Sequence, residues 1–247
     1  MSGNTGSLWY DIAQISGVVP LTLVRAFAIL LLSSLLGTVL GLLARRRIPV
    51  IHQLLALYAS LFRGIPTLVQ LLFWYFLLPN TFAKAAGALH FGVDPNDVSA
   101  DLVLVYTYTL CYSAYMMQTA QAALASLPAS QEALAESLGY SKLQKFWHVM
   151  LPQALLYALP NLCNTFISII KALSLGFTIA VVDIFAEAKV LAGLGGNYIL
   201  VYTADAIVYW AVCGTFAWAA DRLVRRVGER RGLFAKAQVA SAIRAVA

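Results

Sequence analysis

The chain has 247 residues, of which 61% are hydrophobic and 11% charged, and its formal net charge is +6. Soluble domains carry charge on about a quarter of their residues, so this composition excludes a soluble globular protein and implies an integral membrane one. The basic balance does not imply nucleic acid, because the cations stand beside long apolar runs, where the positive-inside rule puts them. Cys111, Cys163 and Cys213 lie within apolar runs without metal-ligand spacing, so they read as small core residues.

Backbone polar groups inside a bilayer must be satisfied within the chain, so each apolar run predicts a helix. Residues 1–15 are polar, with Trp9 and Tyr10 suited to a membrane interface, and no basic region precedes the first apolar run, so a cleaved signal peptide is not expected. The first span is predicted over 19–43, ending at Arg45, Arg46 and Arg47. Gly37 and Gly41 stand four apart in it and permit close helix packing, while Arg25 is expected to snorkel to the far interface. A mixed segment from Ile48 to Arg63 leads to a second span over 65–78, with Pro66 near its first turn. A polar loop with Asp94, Pro95, Asn96 and Asp97 is expected over 79–99. The third span covers 100–124.

A polar segment over 130–152 then separates two apolar regions and reads as two short helices. Ser130 is placed to cap the first and Gly139 to end it in a left-handed conformation. Ser141, followed three residues later by Gln144, forms a capping-box pattern for the second, which Pro152 is expected to end. Leu134, Leu138, Leu143, Phe146 and Trp147 make apolar faces suited either to lying on the bilayer or to docking on another protein. The fourth span covers 154–181, interrupted at Pro160, and a loop follows with Asp183, Glu187, Lys189 and glycines up to Gly196. The fifth covers 198–220 and ends in a basic tail beginning at Asp221 and Arg222.

In this five-span arrangement 13 of the 17 Lys and Arg residues fall on one side, which is therefore cytoplasmic. The expected topology is N-terminus outside and C-terminus inside, with the hairpin cytoplasmic. Asn161, Asn164, Ser168, Lys171, Ser174 and Thr178 recur at three- and four-residue steps on one face of the fourth span. Tyr115 and Gln118 add polar atoms from the third span and Gln70 from the second. Such groups are costly against lipid, so they serve either interhelical bonding or a polar path. Lys171 is the intramembrane cation that most needs a partner, for which a substrate carboxylate or Asp183 are the two candidates. Neither a phosphate-binding glycine loop, nor paired catalytic carboxylates, nor a metal-ligand spacing occurs, so no catalytic or metal site is expected.

The hairpin and its surroundings resemble the permease subunit of bacterial ABC importers, in particular the polar amino acid uptake family and its cystine-type members. Gln131, Ala135, Leu138 and Gly139 match that family's cytoplasmic pattern, and Leu151-Pro152 falls at the expected distance. The likeness continues through Asn164, Ser168 and Lys171, and upstream through Phe62-Arg63-Gly64-Ile65-Pro66 with Gln70. Ser130, Ala133 and Leu134 depart from the pattern, and Gln118 and Gln121 stand where the family often has Glu and Arg. The resemblance implies an all-α, five-span type I importer permease in the bacterial inner membrane, and with that function the polar residues Gln70, Tyr115, Gln118, Asn161, Asn164, Ser168 and Lys171 within the spans are the expected substrate path. It also implies coupling to two copies of an ATPase subunit through Gln131, Ala135, Leu138, Gly139, Leu151 and Pro152. Further implied partners are a second permease, identical or not, an extracytoplasmic binding protein, an amino acid and membrane lipid. ATP and Mg would be bound by the ATPase, with no cofactor in this chain. The weighed alternatives are a stand-alone secondary transporter, for which the sequence lacks internal repeats, and a channel.

Overall fold

A computed structural model of the chain describes residues 7–46, 48–88, 94, 98–194 and 197–231, all helical or connecting, with no strand among them. Arg47, Pro95, Asn96, Asp97, Gly195, Gly196 and the tail beyond Arg231, including Lys236 and Arg244, lie outside the described residues.

The polar start, for which no helix was expected, holds one from Leu8. Helix α1 (Leu8–Gly17) is capped by the Ser7 side chain, which accepts from the Tyr10 N–H at 3.2 Å. Its apolar residues Leu8, Ile12 and Ile15 pack against Val201, Ala204 and Val208 of the last helix. Helix α2 (Val19–Arg45) follows, then α3 (Pro49–Gly64) and α4 (Thr67–Ala88), the last two meeting at a bend of 106°. Helix α5 spans Ala100–Ala125, capped by Ser99. The expected loop over 79–99 therefore begins later, because α4 runs through Pro79 to Ala88. Proline removes one donor there, while the Thr81 hydroxyl donates to the Leu77 and Leu78 carbonyls at 2.9 and 3.0 Å, giving carbonyls around the proline a partner.

Contacts along the helices fix their relative directions. Arg25 meets Asp101 near the start of α2 and α5, while Gly37 lies against Ser113 and Met117, and Gly41 against Met117 and Ala120. The two helices are thus parallel, and the chain between them must return once, through the bent α3–α4 pair. A Cβ at Gly37 would stand 2.7 Å from both the Met117 nitrogen and the Ser113 oxygen, so only glycine allows this approach. In α4, Gln70 reaches Cys111 and Trp74 reaches Tyr106, so α4 is antiparallel to α5.

Helix α6 (Ala129–Ser137) is preceded by Pro128 at the cap position, with Ser130 inside the helix rather than capping it. Helix α7 (Lys142–Gln144) opens on Ser141 and continues as a π-helical segment, Lys145–Met150, straight into α8 (Leu151–Ala172). Pro152 therefore does not end the second hairpin helix. It occupies the first turn of α8, and the wider π turn just before it accommodates a residue that donates no N–H. Pro160 likewise lies inside α8 without interrupting it. The expected fourth span changes character at Leu173, where a 3₁₀ segment, Leu173–Ile179, ends in a left-handed Ala180 with φ of 60°. The expected loop after it contains a helix, α9 (Ile184–Gly193), because Asp183 caps it by accepting from the Ala186 N–H at 2.9 Å. Helix α10 runs over Tyr198–Arg231.

Helix α8 is antiparallel to α5, since the Tyr108 hydroxyl donates to the Ala172 carbonyl at 2.7 Å at one end and Asn161 donates to Thr119 at the other. Phe166 meets Phe216 with ring centroids 5.0 Å apart, which joins α8 to α10. Segments Val19–Arg45, Lys142–Ile179 and Tyr198–Gly228 are long and apolar enough to cross a bilayer, and the bent pair gives a fourth. Helix α5 is less apolar, with its tyrosines, threonines and glutamines, yet at 26 residues it is about 39 Å long and lies at the centre of the bundle. Its buried Val103, Leu104, Thr107, Tyr108, Ser113 and Met116 point to different sides, so its polarity reflects contact with protein rather than lipid.

Candidate functional site

A hollow of about 560 Å³ opens between α5, α8 and the start of α4. Tyr112, Tyr115, Gln118, Thr119 and Ala122 line it from α5 at three- and four-residue steps, with Cys111 beside them. Asn161, Asn164, Thr165 and Ser168 line it from α8, and Thr67 from α4. Within the walls Asn161 donates to the Thr119 hydroxyl, Thr119 donates to the Tyr115 carbonyl at 3.0 Å, and Ser168 donates to the Asn164 carbonyl at 2.9 Å. The Gln118 and Asn164 side-chain amides make no intramolecular hydrogen bond among the described residues and are exposed to the cavity, so both offer a donor and an acceptor to an occupant. Every lining residue is neutral.

Five of the seven residues marked by the sequence for a substrate path thus meet in one place: Tyr115, Gln118, Asn161, Asn164 and Ser168. Gln70 does something else. It is 5% exposed, its amide nitrogen donates to the Phe62 and Ile65 carbonyls at 3.1 and 2.7 Å, and its oxygen accepts from Cys111 Sγ at 2.9 Å. These bonds satisfy carbonyls freed at the α3–α4 break and hold the bend next to the cavity. Lys171 lies in a different hollow of about 370 Å³ with Ser174, Phe185, Tyr209, Trp210 and Cys213. It makes no ion pair with Asp183, whose oxygens are taken by the Ala186 N–H and the Tyr209 hydroxyl at 2.9 and 3.2 Å. Arg25 does not snorkel. It is 9% exposed, its Nε lies 2.6 Å from Asp101 Oδ1, and it donates to the Val182 carbonyl. Thr67, Tyr112, Thr119 and Thr165 were not singled out from the sequence, although 112, 115 and 119 on α5 and 161, 165 and 168 on α8 follow helical spacing.

At the end of the bundle marked by Arg45 and Arg46 sits the hairpin. Gly139 has φ of 77°, and the Gly139 and Tyr140 N–H groups return to the Glu136 and Ala135 carbonyls at 3.0 and 3.1 Å, a complete Schellman end to α6. Ser141 and Gln144 form the expected reciprocal capping box, with bonds of 2.9 and 3.3 Å. Lys145 Nζ lies 2.6 Å from Glu136 Oε1 and clasps the two short helices. That bond holds the Glu136 carboxyl below its ordinary range and raises the Lys145 ammonium above its own. Gln153 donates to Gln131 at 3.4 Å, Arg45 approaches Glu132 at 4.0 Å, and Ala135 is buried. Leu151 is half-buried and Pro152 exposed. Leu134, Leu138, Leu143 and Trp147 remain more than half exposed on a polar segment.

Residues 37–229 match the family described as the binding-protein-dependent transport system inner membrane component. Among its sequence relatives, the chain is 35% identical over 211 residues to the probable amino-acid permease protein YxeN of Bacillus subtilis (strain 168), covering 85% of this chain and 90% of the relative. It is 36% identical over 224 residues to the L-cystine transport system permease protein TcyL of the same strain, covering 89% and 87%. Among solved structures it is similar to an amino acid ABC transporter crystallised with histidines, with a TM-score of 0.73 and 25% identity over 92% of this chain and 100% of the other.

Proposed function

The chain belongs to the family of binding-protein-dependent transport system inner membrane components, and from that premise we propose that it is the membrane-spanning permease subunit of an ATP-driven amino acid importer. The observation that carries this reading is a polar cavity between α5 and α8, beside a broken helix, joined through one continuous helix to an exposed apolar hairpin. Broken helices at mid-depth supply free backbone and side-chain groups to a bound solute without exposing them to lipid. The alternating helix directions support a reading with five crossings, α2, α3–α4, α5, α8 and α10. Arg45, Arg46, Lys142, Lys145, Arg222, Arg225 and Arg226 stand at one end, which we read as cytoplasmic. The N-terminus is then outside and the C-terminus inside.

In this reading the hairpin docks on an ATPase subunit, with Leu134, Leu138, Leu143 and Trp147 filling a groove there. Two permeases, identical or not, pair over two ATPase copies, which bind the ATP and Mg. An external binding protein delivers the amino acid. Closure of the ATPase pair moves the hairpin, and because α7, the π segment and α8 form one rod, the motion reaches Asn161, Asn164 and Ser168 directly. The relatives' names support an amino acid as cargo, with cystine among the candidates. The test is ATP-dependent uptake of labelled amino acids by proteoliposomes holding this chain with its ATPase and binding protein. Uptake that survives removal of the ATPase would refute the reading.

A further inference from the structure

We infer that Arg63 is the residue that receives the substrate carboxylate in the cavity between α5 and α8, and that the cavity selects zwitterionic amino acids with uncharged side chains. The inference rests on the permease reading above and adds the substrate class and the residue that sets it.

A zwitterion in a membrane-embedded cavity needs a cation or several donors for its carboxylate. None of the cavity walls is charged, and Lys171 lies in a separate hollow. Arg63 is not itself a wall residue, but its guanidinium carbon sits 5.3 Å above the ring centroid of Tyr115, one of the lining residues. Arg63 is in the last turn of α3, at the break, four residues before Thr67, which lines the same cavity. Among the described residues it makes no ion pair and is exposed, so its fork of donors is unspent. The cation–π contact with Tyr115 holds the guanidinium beside the cavity and uses none of its N–H donors, which leaves them for bidentate binding of a carboxylate.

The neutral walls then set the class. Gln118 and Asn164 present amide oxygens to the substrate ammonium, and Tyr112 and Tyr115 present ring faces. A cationic side chain finds no carboxylate among the lining residues, and a second carboxylate finds no second cation, so both are disfavoured by unpaired burial.

The test is equilibrium binding of labelled L-glutamine, L-cystine, L-glutamate and L-arginine to the purified permease–ATPase complex without binding protein. The wild-type complex is expected to bind L-glutamine or L-cystine at least tenfold more tightly than L-glutamate and L-arginine. Arg63→Gln should weaken that binding at least tenfold with the complex still eluting intact, and Arg63→Lys should restore part of it. The carboxyl-amidated form of the bound amino acid should bind wild type and Arg63→Gln equally weakly. If Arg63→Gln binds like wild type, or if Lys171→Gln weakens binding and Arg63→Gln does not, the role assigned to Arg63 is refuted while the permease reading stands. If L-arginine or L-glutamate binds wild type best, the substrate class is refuted. If wild type binds none of the four while ATP-driven uptake of them also fails, the permease reading falls together with the inference.

Discussion

Arg25 and Asp101, 76 positions apart in the sequence by their numbering, meet at 2.6 Å and join the first turns of two parallel helices. The same guanidinium donates to the Val182 carbonyl, so one side chain ties α2, α5 and the turn after the 3₁₀ segment. The pair is asymmetric: the Arg25 side chain is 10% exposed and that of Asp101 53%. Removing Asp101 leaves a desolvated cation, whereas removing Arg25 leaves a carboxylate that water can reach. Asp101→Asn should therefore destabilise the protein by about 1–3 kcal/mol, and Arg25→Gln should cost no more than that despite losing two bonds. Thermal melting of the two single mutants and the double mutant in detergent checks this. The double mutant should be less destabilised than the sum of the two.

Gly37 concerns the same helix pair further along. An added Cβ falls 2.7 Å from backbone atoms of Ser113 and Met117, which cannot rotate away. Gly37→Ala should cost about 1–3 kcal/mol and Gly37→Leu should prevent a stable fold. Gly214→Ala, where nothing lies within 4 Å, should be harmless in the same melting assay.

Gly139 separates conformation from crowding. Nothing in the chain lies within 4 Å of its added Cβ, yet its φ is 77°. Gly139→Asn should keep the hairpin and coupled ATP hydrolysis, because asparagine tolerates a left-handed backbone, while Gly139→Val should lose coupling without losing membrane insertion. Stimulation of ATP hydrolysis by loaded binding protein is the readout, and equal coupling in both mutants would show that the turn is not required.

The Glu136–Lys145 clasp has a defined pH window. Glu136 titrates below its unfolded value because Lys145 bonds its charged form, so the clasp's stabilisation is present above the unfolded carboxylate value and is lost as pH falls through the lowered folded one. Lys145 is raised, so its share is full below the unfolded lysine value and is lost as pH rises through the raised one. The clasp therefore holds across neutral pH. Carboxyl chemical shifts of labelled Glu136 should titrate below those of free glutamate, and Lys145→Met should return them to the ordinary range.

Much of this architecture is legible in the sequence because lipid imposes simple demands. Apolar runs mark the helices, flanking arginines mark one end, and Ser141, Gln144 and Gly139 carry turn chemistry that depends on local atoms alone. What the sequence conceals depends on tertiary contact. Pro79, Pro152 and Pro160 look like helix ends, yet neighbouring hydroxyls, a π turn and the surrounding bundle accommodate them. Leu8, Ile12 and Ile15 form a helix face only because α10 supplies the opposite one. Of the polar stripe of α8, Asn161, Asn164 and Ser168 line one cavity, whereas Lys171 lies in a second hollow that the spacing does not reveal. Gln70 carries the residue type of a binding group, and only the break at Ile65 reveals that its amide is already occupied.

Gln118 is the wall position at which charge selection should be most easily rewritten. Gln118→Glu introduces a carboxylate where every lining residue is neutral. Binding of L-arginine to the purified complex should strengthen about tenfold or more, while binding of L-glutamate should weaken further. Unchanged ratios would mean that the cavity is not in contact with the substrate side chain.

The central claim is that cargo passes through the cavity between α5 and α8 while ATP is consumed by the ATPase on which the hairpin docks. Its most direct test is ATP-driven uptake of labelled amino acids by reconstituted wild type and by Ser168→Trp, which fills the cavity without touching the hairpin. Uptake should be abolished in Ser168→Trp, with the ATPase still bound and basal ATP hydrolysis retained. Uptake at the wild-type rate by an assembled Ser168→Trp complex would contradict the account.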